Sequence, residues 1–592
     1  MNLAVSSARG PSSVPDSAFA LDARIAAFRY PRGVRPALGV VDLKVRTGEF
    51  VVIVGPAGAG KTTLCYCLTG VIPHFVEGAY QGAVKINGQD LAGLPLPGIT
   101  ALAGFVLQRP ENQLFNLTVA EDVAFGPENL GWAPEDIRES VARSLAFVGM
   151  SGAAQRLSAS LSGGETQRVA LSCVLALDSG LFILDQPAAE LDPLGRKRVY
   201  EHLRRLNREA GKTIVLVEDR LTEVVSFATR LIRLHEGRIV RDAAPAEFFT
   251  DEEALAQNIR LPDSIKLHYQ LKGNLPSSCR PPAPSAPREV ADRLKPLLDP
   301  AKLARLADAG AEGGARPDHQ GAPTVVAVRD LGFRYPGSER WALRDLNLKF
   351  KQGEFTAIIG ENGAGKTTLA KNLAGLLRPT RGQVMVAGQD SARVSTARLS
   401  DSLGYYFQDP DCQIFCDSVF DEVAFGLRVR KVSAKQIEEA VGSTLRKLGL
   451  LALRQSHPYT LSRAQRKRLA LASVLVHQPR VLVVDEPAAG LDQQATTEIM
   501  DLLAEFNRAG GTVLMITHDM DAVVGYTKRS IVLAGGSVQL DAATASLGEH
   551  LDLLSGAGIE LPDFCLIAHA LGLPRSCRDV AELACLITQA LA

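Results

Sequence analysis

The chain has 592 residues, enough for several domains at the usual ~150 residues each. Its 65 Lys and Arg balance 65 Asp and Glu, so no global charge argues for nucleic acid, and a 46% hydrophobic share is ordinary for globular domains. No apolar run approaches the ~18 residues of a membrane span, and the opening MNLAVSSARGPSSVPDSAF lacks a signal-peptide core, so residues 1–19 read as a disordered extension.

Phe50–Gly55 is an apolar, β-branched run that reads as a strand, and it leads into Gly55-Pro-Ala-Gly58-Ala-Gly60-Lys61-Thr62-Thr63. This is the G-x-x-x-x-G-K-[ST] phosphate loop. Backbone N–H groups at the start of the next helix hold phosphates, Lys61 adds charge at the β and γ oxygens, and Thr62 offers a hydroxyl to Mg²⁺. From Gln108 to Ser162 the pattern becomes mostly helical, which predicts an inserted helical subdomain ending at Leu161-Ser162-Gly163-Gly164-Glu165. Leu181–Asp185 is an apolar strand ending in a carboxylate, suited to hold Mg²⁺ or its water shell beside a phosphate loop, and Thr213–Val217 is a further strand. Near-continuous apolar strands alternating with helical segments predict the α/β class, with a mostly parallel sheet covered on both faces.

A tail, Phe248–Leu271, contains Leu261-Pro262-Asp263. Pro, Gly and Ser then dominate the ends of Asn274–Thr324, which reads as a linker with room for a short helix in Glu289–Ala309. After it the pattern repeats: strand Phe355–Gly360, loop Gly360-Glu-Asn-Gly363-Ala-Gly365-Lys366-Thr367-Thr368, a helical stretch from Gln408 to Ser462, strands Val481–Asp485 and Thr512–Ile516, and tail Leu551–Leu573 with Leu561-Pro562-Asp563. Lys61 recurs as Lys366, Gln108 as Gln408 and Asp185 as Asp485, a duplication with a period of about 300 residues, far too long for a solenoid. Nine cysteines are scattered; Cys65-x-Cys67 and Cys412-x3-Cys416 have no second pair to make a zinc site, so free thiols in a reducing cytosol are expected.

Leu161-Ser162-Gly163-Gly164-Glu165, in its place between phosphate loop and Asp-ended strand, resembles the signature of ATP-binding cassette (ABC) proteins. The resemblance implies two ABC nucleotide-binding domains, residues 20–250 and 324–550, with a tail and linker over 251–323 and a helical tail over 551–592. It also implies ATP and Mg²⁺ as cofactors. Tyr30 and Tyr335 match the position that stacks on adenine, and Gln108 and Gln408 match the Q-loop. Thr62, Asp185 and Gln108, and Thr367, Asp485 and Gln408, then form the two metal sides. Leu191-Asp192 and Leu491-Asp492 match the D-loop, His518 the switch histidine, and Glu486 the carboxylate that polarises the attacking water.

The halves differ. Gln186 stands where the second half has Glu486, and an amide cannot accept a proton as a carboxylate does. Asp219 aligns with His518 and would repel a γ-phosphate. The second signature reads Leu461-Ser462-Arg463-Ala464-Gln465, without glycines, although Arg463 brings a guanidinium suited to phosphate. In ABC dimers each ATP lies between one half's phosphate loop and the other's signature, so the resemblance implies an intramolecular head-to-tail pair. One site would combine Lys366, Asp485, Glu486 and His518 with Ser162-Gly163-Gly164 and hydrolyse ATP. The other would combine Lys61, Asp185, Gln186 and Asp219 with Ser462-Arg463-Ala464 and bind it with little turnover.

A narrower resemblance follows from Gln108-Arg-Pro-Glu-Asn-Gln-Leu-Phe115, Glu121-Asp-Val-Ala-Phe-Gly, Gln408-Asp-Pro-Asp-Cys-Gln-Ile-Phe415 and Asp421-Glu-Val-Ala-Phe-Gly426. These segments are similar to the ATPases of energy-coupling factor (ECF) importers, and Leu68-Thr-Gly-Val-Ile-Pro-His74 to their fused form. That family implies a peripheral ATPase on the cytoplasmic face of the membrane. Its partners would be a transmembrane scaffold (T-component-like) and a membrane substrate-binding subunit, for a vitamin or a transition metal. Two alternatives are an ATPase of another ABC class, exporters included, and a soluble tandem-ABC factor on ribosomes or nucleic acid. The zero net charge and the Pro/Gly/Ala-rich linker argue against the last, so no nucleic-acid partner is expected.

Overall fold

The computed structural model describes residues 19–31, 33, 35–108, 113–161, 163–189, 191–250, 259–275, 285–303, 305–306, 321–573 and 577–591. Ser162, residues 1–18 and parts of the 251–323 segment lie outside the described residues. The described chain divides into two compact units. One takes the residues up to Ala189 with Arg196–Arg260, and the other takes those of 190–195 and 261–592.

In the first unit, strands β1 (Phe19–Arg29), β2 (Val41–Arg46), β4 (Ala79–Ile86) and β5 (Gln89–Asp90) form an antiparallel sheet in the order β2-β1-β4-β5. The second sheet runs β10-β9-β3-β8-β7-β6. Its strands are β3 (Phe50–Val54), β6 (Ala103–Val106), β7 (Leu181–Asp185), β8 (Thr213–Val217), β9 (Arg230–His235) and β10 (Arg238–Ala243), with only the β9–β10 pair antiparallel. β3, β7 and β8 are buried at every position, as continuous apolar strands between two covered faces must be. The antiparallel sheet carries no chemistry, but its signal is in the sequence: VDLKVR in β2 alternates apolar and polar, with Val41, Leu43 and Val45 buried.

Helix α1 (Lys61–Leu68) follows β3. The helical insertion consists of α2 (Val119–Asn129), α3 (Pro134–Phe147) and α4 (Gly163–Leu175), and α5 (Pro193–Arg208) follows β7. Thr118 opens α2 with a capping box: its hydroxyl accepts the Glu121 N–H while the Glu121 carboxylate accepts the Thr118 N–H.

The second unit begins with α6 (Asp263–Leu271) and α7 (Pro287–Leu294) and then repeats the architecture. One sheet is β12-β11-β14-β15: β11 (Thr324–Phe333), β12 (Leu343–Lys351), β14 (Arg381–Val386) and β15 (Gln389–Asp390). The other is β16-β17-β18-β13-β19-β20: β13 (Phe355–Ile359), β16 (Leu403–Tyr406), β17 (Val481–Asp485), β18 (Thr512–Ile516), β19 (Arg529–Ala534) and β20 (Ser537–Ala543). Its helices include α8 (Lys366–Leu373), α9 (Val419–Val429), α10 (Ala434–Lys447), α11 (Arg463–Leu475) and α12 (Met520–Tyr526). Last come α13 (Asp563–Leu571) and α14 (Val580–Ala590). The fold is α/β, with two repeated sheet cores.

The four tail helices pack crosswise, α6 on α14 and α7 on α13, around a separate core that includes Leu267, Leu271, Val290, Leu294, Ile567 and Ile587. Among the described residues no helix is long and apolar enough to cross a membrane.

Candidate active site

Each phosphate loop joins a buried strand to a helix. Gly60 and Gly365 stand at φ 96° and 99°, and a Cβ there would lie 2.6 Å from the Ala37 and Ala342 carbonyl oxygens, so only glycine fits. Lys61 donates to the carbonyls of Gly55 (2.5 Å) and Pro56 (3.0 Å), and Lys366 to those of Gly360 (2.8 Å) and Glu361 (3.0 Å). Burial pulls the Lys366 ammonium below its ordinary pKa, against the nearby Glu486 and Asp485 carboxylates. Gly58 and Gly363 turn the loops at φ 78° and 85°. The Tyr30 and Tyr335 hydroxyls each lie 3.1 Å from the hydroxyl of Thr63 or Thr368, one residue past the metal-side Thr62 and Thr367, which sets both rings beside their loops.

At the C-terminal end of β17, Glu486 meets His518, with Oε1 2.8 Å from Nδ1, while Oε2 accepts from the Thr517 hydroxyl at 3.2 Å. Burial alone would raise the Glu486 pKa; His518, Lys366 and Thr517 outweigh it and hold the carboxyl below its ordinary value. The second half thus presents an ionised, doubly held base beside Lys366. Asp485 accepts from the Tyr405 hydroxyl (3.3 Å), the Thr367 hydroxyl lowers its pKa, and its Oδ1 is buried with no hydrogen-bond partner. Burial, helped by Glu486, pushes Asp485 up to about 6. A buried, unmatched carboxylate oxygen beside a threonine hydroxyl fits a divalent cation. Thr367 and Asp485 would hold Mg²⁺, which would supply Lewis-acid polarisation of a phosphoryl oxygen.

The first half has the same scaffold with other side chains. Thr62 donates to Asp185 at 2.6 Å, and burial raises the Asp185 carboxyl. Gln186 is not an idle substitute: it accepts from Gln108 Nε2 at 2.7 Å and donates to Asp219 Oδ2 at 2.5 Å. The other Asp219 oxygen, Oδ1, faces Lys61 Nζ at 3.1 Å. Gln108 is therefore drawn into its own site, whereas Gln408 is exposed.

Gly163 and Gly164 begin α4. A Cβ on Gly163 would meet nothing within 4 Å, so nothing in this half's packing requires glycine there. Ser462, by contrast, caps α11 in a box with Gln465. Next to it the Arg463 guanidinium lies against Gly490, where an added Cβ would come within 2.7 Å of it, and Ala464 follows in the first turn of α11.

Sequence reasoning missed Asp122 and Glu422. Asp122 Oδ1 accepts the N–H groups of Phe115 (3.0 Å) and Asn116 (2.9 Å), and Glu422 Oε2 those of Phe415 (2.9 Å) and Cys416 (2.8 Å). Each buried carboxylate clamps a loop that presents an exposed aromatic, Phe115 at 64% and Phe415 at 62% exposure. Each ring meets its neighbour edge-on, Phe115 with Phe125 at 4.7 Å and Phe415 with Phe425 at 4.8 Å. The available signal was an acid at the fourth position after each Thr or Ser cap.

Comparison with known proteins gives a consistent result. The ABC transporter family model matches residues 38–189 and 343–489. A protein of Methanosarcina acetivorans named "Putative ABC transporter ATP-binding protein" is 39% identical over 542 residues, covering 90% of this chain and 88% of its own length. A similarly named protein of Caldanaerobacter subterraneus subsp. tengcongensis, TTE1589, is 34% identical over 549 residues, covering 92% and 95%. Among solved structures, cbiO1 from Clostridium perfringens, part of the ABC transporter complex cbiONQ, is 36% identical and covers 40% of this chain and 96% of its own, with a TM-score of 0.36.

Proposed function

Because this chain belongs to the ABC transporter ATP-binding proteins and is an ATPase that works with Mg²⁺, we propose that it energises an ECF-type importer of a vitamin or a transition metal at the cytoplasmic face of the membrane. The observation that carries this reading is the pair of clamped aromatic loops after Gln108 and Gln408, placed alike in the two halves. Large exposed apolar rings held rigidly by buried carboxylates suit a partner helix. The ECF-like segments of the sequence supply the partners: a T-component-like membrane scaffold and a membrane substrate-binding subunit. The test is co-purification from the native membrane. The unaltered chain is expected to bring down a scaffold and a small substrate-binding membrane protein. Phe115→Asp with Phe415→Asp is expected to lose both while nucleotide binding stays. Recovery of an exporter's membrane domains, or undiminished assembly of the double variant, overturns the reading.

Turnover is assigned to the second half's set. Glu486 holds and accepts the proton of the attacking water, His518 orients that carboxylate, Lys366 and the loop amides bind phosphate, and Gln408, at the Q-loop position, belongs to the metal side. The resemblance implies that Ser162, Gly163 and Gly164 of the first half complete this site. Gln186, with both amide atoms committed, cannot serve as a base. In the assembled transporter Glu486→Gln is expected to lower ATPase turnover on the order of 10²–10⁴-fold, and Gln186→Glu to change it little. Near-normal turnover in Glu486→Gln rules the assignment out.

A further inference from the structure

The first half's site is rebuilt rather than eroded. Erosion leaves buried polar groups unmatched; here the substituted residues partner one another, and Asp219 Oδ1, which accepts no hydrogen bond, is matched by the Lys61 charge. Gln108 donates to Gln186 (2.7 Å), Gln186 to Asp219 (2.5 Å), and Asp219 pairs with the phosphate-loop Lys61 at 3.1 Å. The backbone at Asp219 is fixed as well: Glu218 Oε1 accepts the N–H groups of Asp219 (2.9 Å) and Arg220 (3.0 Å). The buried hydroxyl of Tyr200, on α5, donates to the other oxygen of Glu218. The second half has Glu486, Met500, Thr517 and His518 at the places of Gln186, Tyr200, Glu218 and Asp219. Asp219 is thus an internal anion held on the ammonium that meets the β and γ oxygens of a nucleotide.

We propose that Asp219 makes the first-half phosphate loop selective for a nucleoside diphosphate over a triphosphate. The inference rests on the asymmetry between the halves and revises the expectation that this site holds ATP. A γ-phosphate entering this loop must approach the Asp219 carboxylate and compete with it for Lys61, which like charges oppose. A diphosphate keeps the loop amides and the helix N-terminus and leaves the Lys61–Asp219 pair in place. Gln186 and Glu218 keep the carboxylate from swinging aside.

Photolabelling of the full-length chain with the magnesium complexes of 8-azido-ADP and 8-azido-ATP, followed by peptide mapping, reads each half separately. In the unaltered chain, first-half peptides are expected to label at lower 8-azido-ADP than 8-azido-ATP concentration. Asp219→Asn is expected to improve 8-azido-ATP labelling there by about tenfold with little change for 8-azido-ADP. Tyr200→Phe, which frees Glu218 without touching the loop, is expected to move the ratio the same way by less. Labelling of the second half serves as the internal control for folding. A first half that prefers the triphosphate in the unaltered chain, or an Asp219→Asn ratio equal to the unaltered one, overturns the proposal. The readout needs neither turnover nor a membrane partner, so its failure is distinguishable from failure of the Glu486 assignment.

Discussion

Gln186 and Glu486 stand at φ 50° and 49°, a left-handed conformation that non-glycine residues seldom adopt. The strained backbone is common to both halves although only one carries a carboxylate, so the strand end is shaped by the scaffold and the chemistry by the side chain. Lys467 helps hold this turn. Wholly buried on α11, it donates to the carbonyls of Glu486 and Pro487, each at 3.1 Å. Lys467→Met leaves two buried carbonyls short of a donor and is expected to destabilise the second unit by about 1–3 kcal/mol. A shift of the urea midpoint reads it, and an unchanged midpoint contradicts it. The phosphate loops, Asp485, Glu486 and His518 were legible in the sequence because each motif is a few contiguous residues between a strand and a helix. Lys467 was not. A lysine among Arg463, Arg466 and Arg468 reads as part of a solvated face, and only its contact with the turn after β17 reveals its role.

At the scale of elements, the halves diverge just after the switch position. Asp519 caps α12, accepting from Ala522 N at 3.4 Å. Arg220 stands there in the first half and offers no such acceptor, and residues 222–227 form turns instead of a helix. The tails show a second effect. The repeated Leu-Pro-Asp starts α6 and α13, and Asp263 Oδ2 accepts from Phe564 N at 3.2 Å, which brings the two aspartates together. Burial, then Asp263, Asp521 and Glu560, push Asp563 up to about 7, with Lys266 opposing. The folded tails hold this proton more tightly than the unfolded chain. Stability from this group is therefore greatest at low pH and falls as pH rises from about 4 to about 7, levelling above. Urea midpoints for the tail helices taken between about pH 5 and about pH 7 are expected to decline, and Asp563→Asn to flatten the decline. A slope unchanged in Asp563→Asn would place the titrating group elsewhere. The composition of 251–323 suggested mainly a linker. There α6 and α7 take their form from α13 and α14, which cover their apolar faces.

At the scale of the whole molecule, the duplication yields two units with the same strand order and separate cores. The sequence by itself determined the class, the repeat, the family and the candidates for the phosphate, metal and base roles, because those signals are local: periodicity within a strand, spacing within a loop. Only the tertiary structure decided which side chains meet. In the first unit β8 lies between β3 and β7, with Ile53 beside Val217 and Val217 beside Asp185. That adjacency brings Gln186 and Asp219, 33 positions apart, together with the far more distant Lys61. Their pairing, the burial of Lys467 and the crossed tails arise from contacts between distant segments, which no local pattern of residues encodes.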